Sequence, residues 1–286
     1  MNAALDSSRR VAQVVRGQPA SDGAGVKLSR VIGQRDLDML DPFLLLDEFR
    51  SDSATDYVAG FPNHPHRGFE TVTYMLAGRM RHGDNQGNSG LLTSGSVQWM
   101  TAGRGIVHSE MPEQEDGLMA GFQLWVNLPA KDKMTTPRYQ DIAPERIPRV
   151  DAGDGVHVRV IAGRFGGVAG PVEGIAVDPL YLDVELASGA RGAAAIPPGH
   201  SAFAYVYEGA AALGPSDAAT TVARGELAVL AHDGDALAFA AGDGGARLIL
   251  VAGRPLGEPV ARYGPFVMNT PEQIVEAIRD YQAGRF

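Results

Sequence analysis

The sequence of 286 residues contains no cysteine. A disulfide framework, a thiolate zinc site, an iron–sulfur cluster and a cysteine nucleophile are therefore excluded. Any metal site in this chain must be built from imidazole and carboxylate groups.

Long apolar segments are also missing. No stretch approaches the roughly 18 uncharged apolar residues that are needed to span a bilayer, and the N-terminal residues lack the apolar segment of a secretory signal. We therefore expect a cytoplasmic protein with no membrane partner.

Basic residues are outnumbered by acidic ones. The 25 lysines and arginines against 34 aspartates and glutamates give a formal net charge of −9, which argues against direct nucleic-acid binding and is compatible with a protein partner. Glycine and proline, by contrast, are abundant, with 36 and 18 residues, and indicate many turns between short strands. The hydrophobic share of 44% is typical of a globular chain with a sizeable core.

Strand-like segments fill most of the chain and predict an all-β protein. Between residues 57 and 128 they recur about every 8 to 15 residues, separated by glycine-containing turns. The pattern breaks in a polar stretch with several prolines and then resumes, so we predict an N-terminal domain over 1–130, a linker over 131–150 and a C-terminal domain over 151–286. The apolar run at 41–49 fits either a buried strand or a short helix.

A helix is predicted at the end of the C-terminal domain. Thr270 can cap it, Pro271 suits its first turn, and Gln273 completes a capping box. The helix should end near Gly284.

Three strand blocks recur in the same order in both halves of the chain. Residues 71–78 match 202–209 at an offset of 131, 95–100 match 225–230 at 130, and 122–126 match 247–251 at 125. Because the offsets drift only by loop lengths, they indicate two copies of one β-domain. Chance recurrence of short strand–glycine patterns is the alternative.

Three of the seven histidines lie in two short pairs within the first copy. Residues i and i+2 of a strand point to the same face, so His64 and His66 can share one face, and so can His108 and Glu110. Two such pairs on neighbouring strands could converge on one metal ion. The second copy has alanine, proline or phenylalanine near the matching positions, so we expect a metal site only in the N-terminal domain.

Three neutral imidazoles and one carboxylate suit a divalent transition metal such as Fe(II), Mn(II), Ni(II), Co(II), Cu(II) or Zn(II). Four ligands would close a tetrahedral zinc site but leave positions open on an octahedral ion, which favours an octahedral active-site metal. The alternative is a set of hydrogen-bonded surface histidines. An ordinary structural role is predicted for the four isolated histidines, His82, His157, His200 and His232.

The candidate ligands lie in two long blocks, 64–74, which begins His64-Pro65-His66, and 98–112, which contains His108-Ser109-Glu110. Together with further blocks at 40–49, 123–128 and 264–270, they closely resemble the pirin family of the cupin superfamily. The resemblance extends over nearly the whole chain. The second copy resembles pirins less closely than the first does.

The resemblance implies a bicupin, with two antiparallel β-barrel domains of the double-stranded β-helix or jelly-roll type and a short C-terminal helix. It also implies that His64, His66, His108 and Glu110 are the metal ligands, commonly of Fe(II), and that the C-terminal domain lacks them. The general cupin pattern would place a glutamate ligand at Glu70 instead. We predict no further cofactor.

Similarity to pirin-type quercetin 2,3-dioxygenases implies an oxidoreductase that cleaves the central ring of a flavonol with dioxygen. Glu110 would take the proton of the 3-hydroxyl, the metal would lower the pKa of that hydroxyl, and an apolar cavity would exclude water. The expected partners are therefore a small aromatic substrate and O2, and we expect a monomer.

A second hypothesis follows from the same resemblance. Some pirins resemble transcription co-regulators or modulators of metabolic enzymes, so the chain could be a non-enzymatic, iron-dependent regulator that binds a transcription factor or a metabolic enzyme. A cupin isomerase or a sugar-binding module is a third and more distant interpretation. Consumption of a flavonol would favour the first hypothesis, and iron-dependent capture of a protein would favour the second.

Overall fold

The computed structural model describes residues 7–286 and consists mainly of antiparallel strands. It divides into two compact units. The first unit comprises Gln18–Pro144 and Leu256–Phe286, and the second comprises the residues up to Gly17 and Glu145–Pro255. The prediction of an all-β fold with a helix near the C-terminus is confirmed.

The first unit contains a seven-stranded sheet, a four-stranded sheet, a hairpin and a helix. Numbered along the chain and given in pairing order, the seven strands are β12 (Arg138–Ile142), β9 (Val97–Thr101), β6 (Phe69–Ala77), β11 (Met119–Asn127), β4 (Phe43–Ser51), β3 (Val26–Ile32) and β2 (Gln18–Asp22). The four strands are β5 (Phe61–His66), β10 (Ile106–Pro112), β7 (Met80–Asp84) and β8 (Ser89–Leu92). The hairpin pairs β23 (Ala261–Tyr263) with β24 (Phe266–Met268), and helix α1 covers Pro271–Gln282.

The second unit is built on one large sheet. Its main path runs through β1 (Val11–Arg16), β21 (Glu226–Leu230), β19 (Ser201–Leu213), β22 (Ala236–Gly253), β17 (Leu180–Leu186), β14 (Val156–Ala162) and β13 (Arg149–Gly153). Off this path, β18 (Arg191–Ala195) pairs with β22, and β20 (Thr220–Ala223) pairs with β19. A small hairpin joins β15 (Arg164–Phe165) to β16 (Val168–Ala169), and single 3-10 turns lie at Ala54–Asp56, Ala130–Asp132 and Pro144–Arg146.

The units differ from the predicted domain bounds of 1–130, 131–150 and 151–286. At the N-terminus, β1 pairs with β21 and so joins the second unit. At the C-terminus, α1 buries Ile274 and Ala277 against Phe266 and Met268 of the first unit. Inside the predicted linker, β12 pairs with β9 and extends the first unit's sheet. Alternation identifies a strand but not its partner, because ladder hydrogen bonds join residues that are far apart in the sequence.

The structure resolves the one local ambiguity and confirms the predicted helix cap. The run at 41–49 forms the strand β4, whose first seven residues are buried. The capping box of α1 forms as predicted: the Gln273 backbone N–H donates to Thr270 Oγ1 at 3.3 Å, and the Thr270 N–H donates to Gln273 Oε1 at 3.1 Å. Within the described residues, none of the helices has the length and apolarity that crossing a membrane requires.

The β-ladders of the two units carry the same irregularity at equivalent places. Ala77 opposite Ala120 in the first unit corresponds to Glu208 opposite Arg247 in the second, and a register shift follows in each. This alignment gives an offset of 131 residues between β6 and β19, the value predicted from the sequence blocks. Between β11 and β22 the offset is 127 residues, whereas the sequence blocks predicted 125. The shift of two residues leaves every side chain on its predicted face, because the side chains of a strand alternate with period two.

Candidate metal centre

Two antiparallel strands bring the three predicted histidines together. β5 carries His64 and His66, and His108 on β10 lies directly opposite His64. The ring centroid of His108 is 4.4 Å from that of His64 and 5.0 Å from that of His66. Their candidate ligand atoms all lie within 4.8 Å of one another. Alternation within β5 and pairing across to β10 thus produce the convergence that the i, i+2 spacing predicts.

The nitrogens of these rings are available as metal ligands. His64 Nδ1 faces the Pro62 carbonyl at 2.8 Å and must donate to it, which leaves the Nε2 lone pair for a metal. His66 and His108 are 3% and 0% exposed, and neither ring has a hydrogen-bond partner among the described residues. Buried polar atoms without partners are costly, and coordination would satisfy one nitrogen of each ring. The donor set therefore fits a divalent transition metal.

The electrostatics of the site keep its histidines in the ligand form. Burial lowers the pKa of both His66 and His108 well below the ordinary value. Nearby imidazoles lower it further: His108 and His64 act on His66, and His64 and His82 act on His108. Because a metal binds the neutral imidazole, the site does not need to lose protons from these two rings at neutral pH.

Glu110 lies on the same strand as His108, and both of its carboxylate oxygens accept hydrogen bonds from neighbouring side chains. Its Oε1 accepts a hydrogen bond from Thr73 Oγ1 at 2.8 Å, and its Oε2 accepts one from Gln123 Nε2 at 3.1 Å. The group whose ligand atoms converge consists of the three histidines, while the buried carboxylate of Glu110 lines the same cavity. Three of the four predicted residues, His64, His66 and Glu110, thus line one cavity, and the carboxylate is hydrogen-bonded to side chains of two strands, β6 and β11.

A cavity of about 600 Å³ opens beside these side chains. Trp125 forms part of its wall, with its ring 5.3 Å from the His66 ring and 4.4 Å from the Phe69 ring. Other apolar side chains that line the cavity are Leu28, Leu45, Phe49, Phe61 and Met80. A volume of this size with a mostly apolar lining and a few polar groups is typical of a small-molecule site.

A half-buried ion pair forms the polar side of the cavity. Arg30 Nε and Nη2 donate to the two carboxylate oxygens of Asp47 at 3.0 and 2.8 Å, and Nη2 also donates to Asp22 at 2.8 Å. Burial raises the pKa of Asp47, and the bidentate contact with Arg30 opposes that rise. The guanidinium of Arg30 is therefore committed to these carboxylates.

Two of the four histidines outside the pairs have hydrogen-bond partners of their own. His82 is hydrogen-bonded to Asp141 at 3.1 Å, and His200 Nε2 faces the Asp178 carbonyl at 2.9 Å. In the part of the chain that the structure describes, neither these nor His157 and His232 join a group of metal-ligating side chains.

Apolar residues occupy the equivalent face of the second unit. With the offsets that the ladders give, Thr73, Gln123 and Trp125 correspond to Ala204, Leu250 and Ala252, which are all fully buried. At the sequence offsets of 131 and 130, His64 and His66 correspond to Ala195 and Pro197, and His108 and Glu110 correspond to Ala238 and Ala240. The second unit thus fills with hydrocarbon the space that the first unit leaves open.

Sequence reasoning missed most of the polar cavity wall. Thr73 and Gln123 carried a weak signal, because each is a polar residue on an inward face of a strand that is otherwise largely apolar. Arg30, Asp47 and Arg262 carried none, because only the closure of the sheets brings them to the cavity.

Two profiles of known protein families match the chain. The sequence profile described as Pirin matches residues 25–126, and the profile described as Pirin C-terminal cupin domain matches residues 181–286. The chain belongs to the pirin family. The resemblance inferred from the five sequence blocks is thereby confirmed.

Individual pirin relatives match the chain along almost its full length. A Pseudomonas aeruginosa protein with a provisional quercetin 2,3-dioxygenase name is 53% identical over 280 residues, which cover 96% of this chain and 97% of that protein. A pirin-like protein of Caulobacter vibrioides is 52% identical over 282 residues, 97% of this chain and 99% of that one. The crystal structure of a quercetin 2,3-dioxygenase from Acinetobacter baumannii matches with a TM-score of 0.89 and 34% identity over 98% of both chains. The predicted bicupin fold is confirmed by these matches.

Proposed function

We propose that this pirin is a metal-dependent dioxygenase that cleaves the central ring of flavonols such as quercetin. His64, His66 and His108 would hold the metal, with Glu110 as the fourth ligand and the base that takes the substrate proton. The observation that carries the proposal is the convergence of three imidazoles, two of them buried without hydrogen-bond partners, beside a largely apolar cavity that His64 and His66 line. Two relatives that match almost the full length of the chain carry a quercetin 2,3-dioxygenase name, which supports flavonols as the substrate class.

Fe(II) is the metal that we propose. The pirin resemblance favours it, and three imidazoles with one carboxylate also accept Mn(II), Ni(II), Co(II), Cu(II) or Zn(II). When bound, such an ion acts as a Lewis acid that lowers the pKa of a hydroxyl close to it.

The side chains around Glu110 equip it to take up and return a proton. The Thr73 hydroxyl lies 2.8 Å from Glu110 Oε1 and 2.6 Å from Gln123 Oε1. Because a hydroxyl has one hydrogen, it can donate to the ionised carboxylate, or turn toward Gln123 and accept from the protonated one. Both protonation states of Glu110 thus keep a hydrogen bond, as a general base in the 3-hydroxyl deprotonation requires.

The cavity wall supplies the remaining contributions. Trp125, Phe49 and Leu45 provide flat or apolar surface that suits an aromatic ring system and reduces access of water to the deprotonated flavonol. Dioxygen then supplies both oxygen atoms that enter the cleaved product, and carbon monoxide leaves from the central ring.

Turnover of quercetin by the iron-loaded protein tests this function. We expect loss of the flavonol absorbance under air together with release of carbon monoxide, and a Glu110→Gln variant that retains iron but loses most of the rate. Removal of a general base lowers the rate by about 100- to 10,000-fold.

Glu70→Gln is the matched control. Glu70 is also buried and accepts a hydrogen bond from Thr101 at 2.6 Å, but it does not line the cavity, so its replacement should leave turnover nearly unchanged. Equal activity of wild type and Glu110→Gln would contradict the role of Glu110. Absence of flavonol consumption by iron-loaded wild type would contradict the activity itself.

A further inference from the structure

The β23–β24 hairpin forms part of the wall of the candidate metal cavity. Arg262, Gly264 and Pro265 of this hairpin line the cavity. Val267, in β24, packs with Phe69 and Leu44 and so anchors the hairpin to the two strands β6 and β4. The hairpin therefore holds its side chains at a fixed place beside the histidine group.

The Trp125 ring contacts both the cationic guanidinium of Arg262 and the candidate ligand His66. Arg262 Nη1 donates to the Leu44 carbonyl at 3.1 Å, and its guanidinium carbon lies 4.9 Å from the centroid of the Trp125 ring. The same indole lies 5.3 Å from the ring of His66. One aromatic side chain thus spans the distance between the metal site and the guanidinium, and the indole holds the guanidinium in place by a cation–π contact.

The two arginines that line the cavity differ in what they can bind. Arg30 has its charge paired by the bidentate contact with Asp47 and by its contact with Asp22. Arg262, in contrast, has no carboxylate oxygen within 4.0 Å among the described residues, and its one hydrogen bond there is to the Leu44 carbonyl. A guanidinium has five N–H donors, so Arg262 offers several of them to a ligand in the cavity.

The surroundings of Arg262 favour an anionic partner for these donors. Arg262 is exposed as a whole residue, but partial desolvation of its guanidinium lowers its pKa, and the positive charge of Arg30 lowers it further. Asp38, Asp47 and Asp22 act in the opposite direction without offsetting these effects. An ionised oxygen of a bound ligand would give Arg262 the close anionic partner that Asp47 and Asp22 give to Arg30, and arginine is well suited to such an acceptor.

We propose that Arg262 is a substrate-binding residue that selects planar aromatic compounds carrying a second acidic oxygen remote from the one at the metal. This inference rests on the proposed function, since the first acidic oxygen is the 3-hydroxyl beside Glu110. The selected class comprises flavonols with acidic ring hydroxyls, and Arg262 would bind one of these hydroxyls in its ionised form.

Comparison of two flavonols with an Arg262→Met variant tests the proposal. Quercetin carries acidic hydroxyls on its other rings, whereas 3-hydroxyflavone has the same 3-hydroxyl and lacks them. Affinities are measured by quenching of tryptophan fluorescence in iron-loaded protein without oxygen, and KM and kcat are measured under air. We expect Arg262→Met to weaken quercetin binding and raise its KM by about 10- to 100-fold, as loss of a charged hydrogen bond does. Binding of 3-hydroxyflavone and the iron content should stay unchanged.

Two further variants make the test specific. Arg262→Lys keeps the charge without the planar fork and should bind quercetin with intermediate affinity. Arg79→Met is the matched control, because Arg79 also donates to a backbone carbonyl, that of Glu113 at 2.9 Å, but lies outside the cavity lining. It should behave as wild type toward both compounds.

The outcomes separate this inference from the proposed function. Equal loss of affinity for both flavonols in Arg262→Met, or no loss for either, overturns the role of Arg262 while leaving the dioxygenase proposal intact. Selective loss of quercetin binding with no turnover by wild type supports Arg262 and overturns the dioxygenase. Wild-type protein that binds neither flavonol overturns both.

Discussion

Replacing His108 with leucine should change protein stability in opposite directions with and without metal. His108 is fully buried, and neither nitrogen of its ring has a hydrogen-bond partner among the described residues. In the metal-free protein the ring is therefore a buried polar group that leucine, of similar size, would replace with hydrocarbon. In the metal-loaded protein the same substitution would remove a ligand.

The magnitudes follow from these two terms. A buried donor or acceptor left without a partner costs about 1–3 kcal/mol, so His108→Leu should raise the free energy of unfolding of the metal-free protein by about 2 kcal/mol. A ligand that binds only the folded state adds about 4.1 kcal/mol at a concentration of 1,000 times its Kd. Wild type gains that increment from metal and the variant does not, so the loaded wild type should be the more stable by about 2 kcal/mol.

Tryptophan fluorescence can report this difference for the relevant unit. Both tryptophans of the chain, Trp99 and Trp125, lie within the first unit. Denaturant titrations of chelator-treated and iron-loaded protein, followed with selective tryptophan excitation, therefore monitor the unit that contains the site. Elemental analysis of the same samples should show stoichiometric iron in the wild type and its loss in the variant.

His82→Leu is the matched control for this experiment. His82 is also buried in the first unit, but it has a hydrogen bond to Asp141, so its replacement should destabilise the protein with and without metal. A His108→Leu variant that loses equal stability in both states would refute the reasoning, because the ring would then stabilise the fold itself rather than hold a metal.

Two further predictions concern stability. The pKa values of His66 and His108 are lowered by burial, so below about pH 6.5 the unfolded chain binds protons that the folded, metal-free protein does not. The free energy of unfolding should therefore fall as the pH falls, by up to about 1.4 kcal/mol per pH unit for each histidine, and less steeply in His108→Leu. Denaturant titrations at pH 7 and pH 5 measure this fall, and an equal fall in wild type and in His108→Leu would contradict the prediction. Lys133→Met should cost about 3 kcal/mol or more, because buried Lys133 Nζ donates to the Gly68 carbonyl, Asn127 Oδ1 and the Val267 carbonyl at 2.7–3.0 Å. The exposed Lys131→Met is its control, and equal effects of the two in the same titration would refute the role of these bonds.

Local signals in the sequence were enough for the elements and for the core of the site. Alternation identified β5 and β10 as strands on which His64 and His66 share a face, and the repeat indicated which copy has the ligands. The capping box fixed the start of α1. These features depend on residues close together in the chain, where period-two geometry and cap hydrogen bonds act directly.

The sequence by itself thus determined that the chain is an all-β pirin with three histidines arranged to meet. Only the tertiary structure decided that Glu110 is hydrogen-bonded to Thr73 and Gln123, and that Arg262 lies at the cavity over the Trp125 ring. It also decided that the N-terminal segment belongs to the unit formed by the second half of the chain, and the C-terminal segment to the unit formed by the first half. The physical reason is that these contacts arise from strand pairing and sheet closure between distant segments. A local pattern specifies the face on which a side chain lies, but not the strand that will come to lie opposite it.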